Sequence, residues 1–366
     1  MKDIRTIKLV SVTVILAGLS AGALAGPPVV PFLPSPQSIS TVPPNGDINP
    51  YGVAFVPHDF MGGSGPLAPG DILVSNFNNS NNLQGTGTTI VRIGADGLFS
   101  TFFTTPNATL GGPGTGLSTA LAILKKGFVL VGSMPSVDGT IATSTPGSLL
   151  VIDSKGNLLT MISDPTINGP WDMTVDDRGD NVVAFVSNAF AGTVVRLDLH
   201  LTPTAVKVMK KTVIASGYQH QGDSVTFVDG PTGLVYDADH DTLFVASTLD
   251  NAVYAVQNAE KTTSSNGTGS IIYTDATHLH GPLGMVMAPN GHFLVANNDA
   301  INSDPNQPSE IVEFTVAGQF ITQLSVDPSQ GGSFGLAVNV KNNIATFAAV
   351  DDNIPALLIW TLPIQH

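Results

Sequence analysis

Short runs of alternating apolar and polar residues, separated by polar turns, make up most of the chain. In LFVASTLDNAVYAV (243–256), apolar side chains alternate on both sides of a break at 249–251. Alternation with a period of two is typical of half-buried β-strands, so this stretch predicts two strands joined as a hairpin. Because two isolated strands are marginally stable in water, the hairpin must pack against further strands.

The hairpin is part of a unit of four short strands that recurs along the chain. The units are predicted at residues 49–105, 118–163, 169–215, 230–275, 281–326 and 332–362. Their first strands align at Gly52, Thr119, Asp172, Gly233, Gly284 and Gly335. Four strands per repeat of roughly 50 to 65 residues indicate an all-β fold, a six-bladed β-propeller in which each four-stranded sheet covers its neighbours.

The last unit contains only three strands before the chain ends. QSISTV (37–42) alternates polar and apolar residues and belongs to no other unit. We therefore expect it to add the outer strand of the sixth sheet and so remove an exposed sheet edge. The alternative is a disordered linker, because prolines crowd this region. The predicted organisation is a leader over 1–25, a Pro-rich segment with the closing strand over 26–48, and the propeller over 49–366.

The N-terminal 25 residues have the layout of a secretory signal peptide. Lys2, Arg5 and Lys8 precede an uncharged apolar stretch, and Ala23-Leu24-Ala25 supplies small residues for cleavage. The alternative is a membrane anchor, but the stretch is shorter than the roughly 20 apolar residues that a span needs. The sequence predicts a secreted or periplasmic protein cleaved near Ala25, with no membrane span in the mature chain.

Charge and composition narrow the partners. The formal net charge is −14 and only 11% of residues are charged. An acidic chain repels phosphate backbones, so nucleic acid is excluded as a partner. There is no cysteine, which excludes disulfides and thiolate chemistry. We expect a monomer stabilised by its core, with aspartates in the turns between strands.

Two segments resemble NHL repeats. GPLGMVMAPNGHFLVANN (281–298) and LFVASTLDNAVYAV share the Gly-Pro-x-Gly-apolar start or the Val-Ala-(Asn/Ser) turn of that family. The resemblance implies a propeller and leaves function open, because NHL-like propellers include lyases, lactonases, sensors and binding scaffolds. The chain is also distantly similar to gluconolactonase, streptogramin lyase and peptide-amidating lyase propellers. No catalytic residue of those families has a counterpart in a matching motif here.

Long insertions indicate which face of the ring carries a site. In a propeller, the connections from second to third strands and those between blades lie on one face. The insertions at 76–88, 106–116, 133–147, 215–230 and 297–310 fall largely there. Long loops on a rigid scaffold are where binding usually occurs. The alternative is neutral variation of surface loops.

Residues beside the strand ends on this face are predicted to form the mouth of the central channel. The ligand-binding candidates are Asn76, Asn188, Asn297, Asp299, His220 and Tyr218. Asp229, His280 and Asp351 are candidate catalytic groups. With Asn297 these three also form a candidate metal set, because amide and carboxylate oxygens suit calcium and an imidazole suits zinc. The alternative is that Asn and Asp cap turns at these positions.

A second candidate zinc site combines His220, His278 and His280, with Tyr218 assisting. Side chains two residues apart in an extended strand point the same way, which would align His278 with His280. The alternative is that all three are solvated loop histidines.

The sequence leaves three hypotheses for function. The first is an exported NHL-type propeller that binds a small molecule, glycan or protein through the loop-rich face. The second is a metal-dependent lyase or lactone hydrolase with its site at the channel mouth. The third is a structural component of the cell envelope.

Overall fold

The computed structural model describes residues 35–106, 115–298, 301, 303, 306 and 310–364. Six four-stranded antiparallel sheets follow one another along the chain. The innermost strand of each sheet contacts the innermost strand of the next, and the sixth contacts the first. The sequence prediction of a six-bladed propeller is therefore confirmed.

The strands of each blade run in chain order from the centre outwards. Strand β1 (Gln37–Ser40) precedes the first blade, which contains β2 (Ile48–Phe55), β3 (Ile72–Asn78), β4 (Thr89–Ile93) and β5 (Phe99–Thr104). The second blade contains β6 (Leu117–Ile123), β7 (Val129–Ser133), β8 (Ser148–Ile152) and β9 (Leu158–Ile162). The third blade contains β10 (Pro170–Asp177), β11 (Asn181–Asn188), β12 (Thr193–Leu201) and β13 (Val206–Ser216).

A two-stranded hairpin, β14 (Gln221–Asp223) and β15 (Phe227–Asp229), lies between the third and fourth blades. The fourth blade contains β16 (Pro231–Asp237), β17 (Thr242–Ser247), β18 (Ala252–Gln257) and β19 (Ser270–Tyr273). The fifth contains β20 (Pro282–Met287), β21 (Phe293–Asn297), β22 (Glu310–Phe314) and β23 (Phe320–Ser325). The sixth contains β24 (Ser333–Lys341), β25 (Ile344–Asp351) and β26 (Ala356–Pro363). One short 3-10 helix, Ile141–Thr143, lies in the described part of the second blade.

The outer edge of the sixth blade is covered by β1. This strand pairs antiparallel with β26, with Ile39 opposite Leu357. The N-terminal part of the chain and its C-terminal part thus belong to one sheet, at the position assigned to 37–42 from the sequence. This pairing leaves β26 without an open hydrogen-bonding edge.

The core lies between the faces of adjacent sheets. Phe185 of the third blade, for example, packs in one buried cluster with Val245 and Tyr254 of the fourth. Second strands are buried on both faces, so β3, β7 and β17 read as nearly continuous apolar runs. Sheet-on-sheet packing thus supplies the partner that the sequence hairpin at 243–256 required. No helix in the described ranges has the length and hydropathy to span a bilayer.

Candidate functional site

Each innermost strand contains a β-bulge near its start. The pairing register shifts between Pro50 and Val53 in β2, and at the matching place in the other five. A bulge turns the backbone locally and changes where side chains point. All six bulges occur at one level of the central channel, which they narrow.

The narrowing is formed by the six aligned positions identified in the sequence. We call them the waist ring: Gly52, Thr119, Asp172, Gly233, Gly284 and Gly335. A Cβ atom on Gly233, Gly284 or Gly335 would overlap a backbone carbonyl of the next blade. At Gly52 it would come within 3.0 Å of the Ser118 carbonyl oxygen. Glycine is therefore required at these four positions because the neighbouring backbone approaches too closely for any side chain.

The two larger members of the waist ring form hydrogen bonds where the glycines form backbone contacts. The Thr119 hydroxyl donates to the Trp171 carbonyl oxygen of the next blade. The Asp172 carboxylate accepts from the backbone N–H of Met173 (2.7 Å) and of Leu234 in the next blade (3.1 Å). Each blade is thus linked to the next around the entire ring.

The waist ring separates two cavities that share no lining residue. Below it, the lower channel has a volume of about 400 Å³ and is lined by inner-strand side chains such as Val53, Leu121 and Met285. Asp172 faces this channel, and burial raises the pKa of its carboxyl to about 7. Because both carboxylate oxygens already accept backbone hydrogen bonds, the larger cavity offers a ligand mainly apolar walls.

Above the waist ring is the mouth pocket, with a volume of about 340 Å³. Its floor is aromatic. The rings of Tyr51 and Phe334 stack with centroids 4.5 Å apart, and the indole of Trp171 meets Tyr51 edge-on at 5.5 Å. Each of the three directly precedes a waist-ring residue, so the bulges position them at the bottom of the mouth.

Several polar groups of the mouth pocket have no protein partner. Asn49 is 5% exposed and Trp171 is 1% exposed, yet Asn49 Oδ1 and Trp171 Nε1 make no hydrogen bond. Gln84 Oε1 is also buried and unpaired. Burial raises the pKa of Asp352 to about 6. Unsatisfied buried polar groups cost free energy, so their concentration in one cavity indicates a binding site.

The β14–β15 hairpin forms one wall of the mouth. The Gln84 side-chain amide of the first blade donates to the Val225 carbonyl oxygen at the hairpin tip (2.7 Å). At its base, Phe227 has a φ of +70° and is 1% exposed. A positive φ in a bulky residue is a strained conformation, which the packing of Phe227 against Phe77 maintains.

The predicted asparagines at the strand ends support the backbone and do not face a ligand. Asn188 accepts from the N–H of Asn168 (3.0 Å) and donates to the carbonyl of Thr166 (3.0 Å). Asn297 bonds His280 N–H (2.9 Å) and the His278 carbonyl (2.8 Å) in the same way. Asn76 donates to the Thr41 carbonyl (3.1 Å). Each thus fixes the chain that leads into its own blade.

The candidate catalytic residues Asp229, His280 and Asp351 are buried beside the mouth pocket and do not line it. Asp229 accepts from the Thr226 hydroxyl (3.0 Å), and burial raises its pKa. His280 Nε2 lies 3.1 Å from the Thr277 carbonyl oxygen. Burial and the neighbouring Asp327 raise the pKa of Asp351 to about 7.

The other candidates have separate partners. Tyr218 is buried and donates to the Thr268 carbonyl (3.0 Å), and His220 Nδ1 lies 3.1 Å from the Tyr218 carbonyl oxygen. His278 pairs with Asp275 (2.7 Å) and stacks on Phe320. Asp299 lies outside the described residues.

Neither predicted metal site is assembled. Within the ranges that the structure describes, no three His, Asp or Glu side chains come together in a group that could hold a metal ion. The set Asp229, His280 and Asp351 and the set of three histidines therefore do not fit calcium or zinc, and we derive no metal chemistry from them.

The residues of the mouth pocket were missed in the sequence. Their signal was present, since Tyr51, Trp171 and Phe334 each precede an aligned position of the repeat. Asp352 follows the predicted Asp351 directly. The one-residue shift matters because neighbouring side chains of a strand point to opposite sides.

Comparison with solved structures gives the class of protein. The chain superposes on regucalcin, a calcium-binding protein from Agrobacterium tumefaciens str. C58, with a TM-score of 0.50 and 13% identity over 89% of this chain and 95% of that one. A candidate oxidoreductase (glucose dehydrogenase) from Thermus thermophilus gives 0.50 and 12% over 89% and 100%. A candidate gluconolactonase gives 0.49 and 12% over 89% and 99%.

The class is thus the six-bladed propeller, with structural neighbours of the gluconolactonase and regucalcin type. At these identities the likeness shows the fold alone. No protein-family model matches the sequence, and no curated protein matches it. The resemblance to NHL repeats accordingly stays a prediction.

Proposed function

We propose that this protein is an exported propeller that binds a small organic molecule in the mouth pocket. The observation that carries the proposal is the pair of unpaired buried polar atoms, Asn49 Oδ1 and Trp171 Nε1, in an aromatic cavity. A ligand that bonds both atoms would recover the free energy that their burial costs. Export rests on the signal-peptide layout of residues 1–25.

The position of the pocket supports the same function. Its walls come from the insertions of several blades, including Gln84, Val225 and Ser303, as expected for a loop-built site on a rigid ring. The floor is rigid because the waist ring allows the inner strands little room to move. A cavity of this kind holds a small molecule or a single sugar unit more readily than a protein surface.

Blocking the pocket tests the proposal. Gln330 is exposed and lines the mouth, so Gln330→Trp should fill it with an indole. A panel of sugars, alcohols, amines and carboxylates is screened by thermal shift and calorimetry. We expect every compound that binds the unmodified protein to lose at least about tenfold in affinity in the blocked variant.

The matched control is Gln319→Trp, which adds the same ring in an exposed turn between β22 and β23, on the opposite face. It should leave binding unchanged. Ligands that bind Gln330→Trp as tightly as the unmodified protein would place the site elsewhere and refute the proposal.

The metal-dependent lyase or lactone hydrolase keeps no support beyond the fold. Within the described ranges, the candidate residues Asp229, His280 and Asp351 form no common site, and the structural likeness carries no activity to this chain. Binding in the mouth pocket is therefore the function that the geometry favours.

A further inference from the structure

Positive charge is distributed unequally between the two faces of the ring. We call the face with the second-to-third and interblade connections the upper face, and the opposite one the lower face. From residue 36 onward, every lysine and arginine lies in a strand or on a lower-face connection. The lower-face connections carry Lys125, Lys126, Lys155, Arg178 and Lys261.

The upper-face connections contain aspartates and no basic residue other than histidine. Their aspartates are Asp47, Asp138, Asp164, Asp223, Asp229, Asp250, Asp275, Asp299, Asp304, Asp327 and Asp352. A face with one sign of charge attracts solutes of the opposite sign and repels anions. Charge alone identifies no site, so the argument depends on what the mouth pocket adds to it.

The mouth pocket offers an anionic group to a ligand without a protein cation to neutralise it. Asp352 lines the pocket, and burial is the one cause that raises the pKa of its carboxyl, with no lysine or arginine of the described ranges acting on it. Its negative charge acts on the neighbouring Tyr51 hydroxyl, whose pKa is raised mainly by burial and further by Asp352. A buried carboxylate without a counter-ion is costly unless something brings a positive charge to it.

The remaining groups of the pocket suit the same ligand. Asn49 Oδ1 and Gln84 Oε1 are unpaired acceptors, which complement the N–H donors of an amine. Tyr51, Trp171 and Phe334 supply aromatic rings, whose faces attract organic cations. Trp171 Nε1 is an unpaired donor and would suit an oxygen acceptor elsewhere on the same ligand.

We propose that the mouth pocket binds a small organic cation, a molecule with a protonated amine or quaternary ammonium group, against Asp352 and the aromatic floor. This inference rests on the proposed function, because it specifies the ligand of that same pocket. The acidic upper face would draw such cations towards the mouth, and the pocket would then hold them.

Matched pairs of probes test the charge preference. Choline is compared by calorimetry with the uncharged alcohol in which carbon replaces its quaternary nitrogen, and benzylamine with benzyl alcohol. Tetramethylammonium and spermidine extend the range of size. We expect the charged member of at least one pair to bind about tenfold or more tightly than its neutral counterpart.

Two variants separate pocket charge from overall charge. Asp352→Asn should abolish the preference, leaving the charged and neutral members of a pair within about twofold of each other. Asp239→Asn removes the same charge from an exposed lower-face position and should leave the preference intact. Thermal melts of both variants establish that they are folded.

The outcomes distinguish this inference from the proposed function. Equal affinity for charged and neutral probes, no binding of any cation in the set, or a preference that survives Asp352→Asn would each overturn the inference. If neutral compounds bind and Gln330→Trp blocks them, the pocket functions as proposed but its ligand is not a cation. If the cations bind Gln330→Trp unchanged, both conclusions fail.

Discussion

The mouth pocket and the lower channel occupy the same axis, are lined by the same six strands and differ in how their polar groups are paired. In the lower channel, both oxygens of Asp172 accept backbone hydrogen bonds, and the walls are mostly apolar. In the mouth pocket, Asn49 and Trp171 keep buried polar atoms unpaired. The smaller cavity is therefore the better candidate for binding, because its groups gain hydrogen bonds only when a ligand is present.

The difference shows that cavity size alone is a poor guide in a ring of this kind. Every propeller has a central channel, which follows from arranging sheets radially. What marks a site is the placement of polar groups where folding gives them no partner. The waist ring makes this distinction possible, since it divides the channel into a structural part and a part open to ligands.

The largest effect is expected at the waist ring. Gly335→Ala places a methyl group against the Tyr51 carbonyl oxygen of the first blade, where neither backbone can move without opening the ring. We expect the free energy of unfolding to fall by about 3 kcal/mol or more, measured by chemical denaturation.

Gly291→Ala is the matched control, because Gly291 has a φ of +81° and no described atom lies near the added carbon. It should cost about 1 kcal/mol from its backbone conformation alone. Equal losses at the two positions would show that the waist ring is not tightly packed and that the two cavities are not separated.

A smaller effect concerns Asp172 and pH. Burial raises its pKa from 3.8 to about 7 in the folded protein, so the folded state holds the proton more tightly than the unfolded state. The stability gained from this is complete below about pH 4 and is lost as the pH rises through 7. Between pH 5 and 8, the unmodified protein should lose on the order of 2 kcal/mol relative to Asp172→Thr.

Threonine is chosen because Thr119 occupies the equivalent position of the second blade. The quantity to compare is the change with pH of the difference between the two proteins, measured by urea denaturation, which cancels the hydrogen bonds lost at all pH values. A difference that stays constant from pH 5 to 8 would mean that Asp172 ionises normally and that the lower channel is well solvated.

The smallest effect is expected at the upper end of the sixth blade. Three other blades have asparagine where this one has Asp351, whose Oδ2 is buried without a partner and whose pKa is raised to about 7 by burial and by Asp327. Asp351→Asn should stabilise the protein by about 1 kcal/mol at pH 8 and by little at pH 5, where the carboxyl is protonated. Melting temperatures at the two pH values check this. Asp239→Asn serves as the control, and a loss of stability at pH 8 would contradict the assignment.

The fold could be predicted from the sequence to the level of individual blades. Alternation located the strands, and the repeated Gly positions gave their register, so six sheets and their order followed. The role of those glycines could not be predicted. Their requirement comes from the backbone of the next blade, a contact between residues about 50 positions apart that no local pattern contains.

The site could be predicted only to the correct face. Asn188 and Asn297 were placed at the channel mouth, yet their amides bond the chain that leads into the blade. Asparagine is equally suited to binding a ligand and to bracing a backbone, so composition cannot distinguish the two roles. Trp171 read as an ordinary core residue, and its unpaired Nε1 becomes visible only when all six blades are present.

A crystal structure of the protein with the tightest-binding cation of the set tests the central claim most directly. The account predicts density for the ligand above the waist ring, with its positive group facing Asp352 and its body against Tyr51, Trp171 and Phe334. Density in the lower channel beside Asp172, or on the outer surface with an empty mouth pocket, would contradict it.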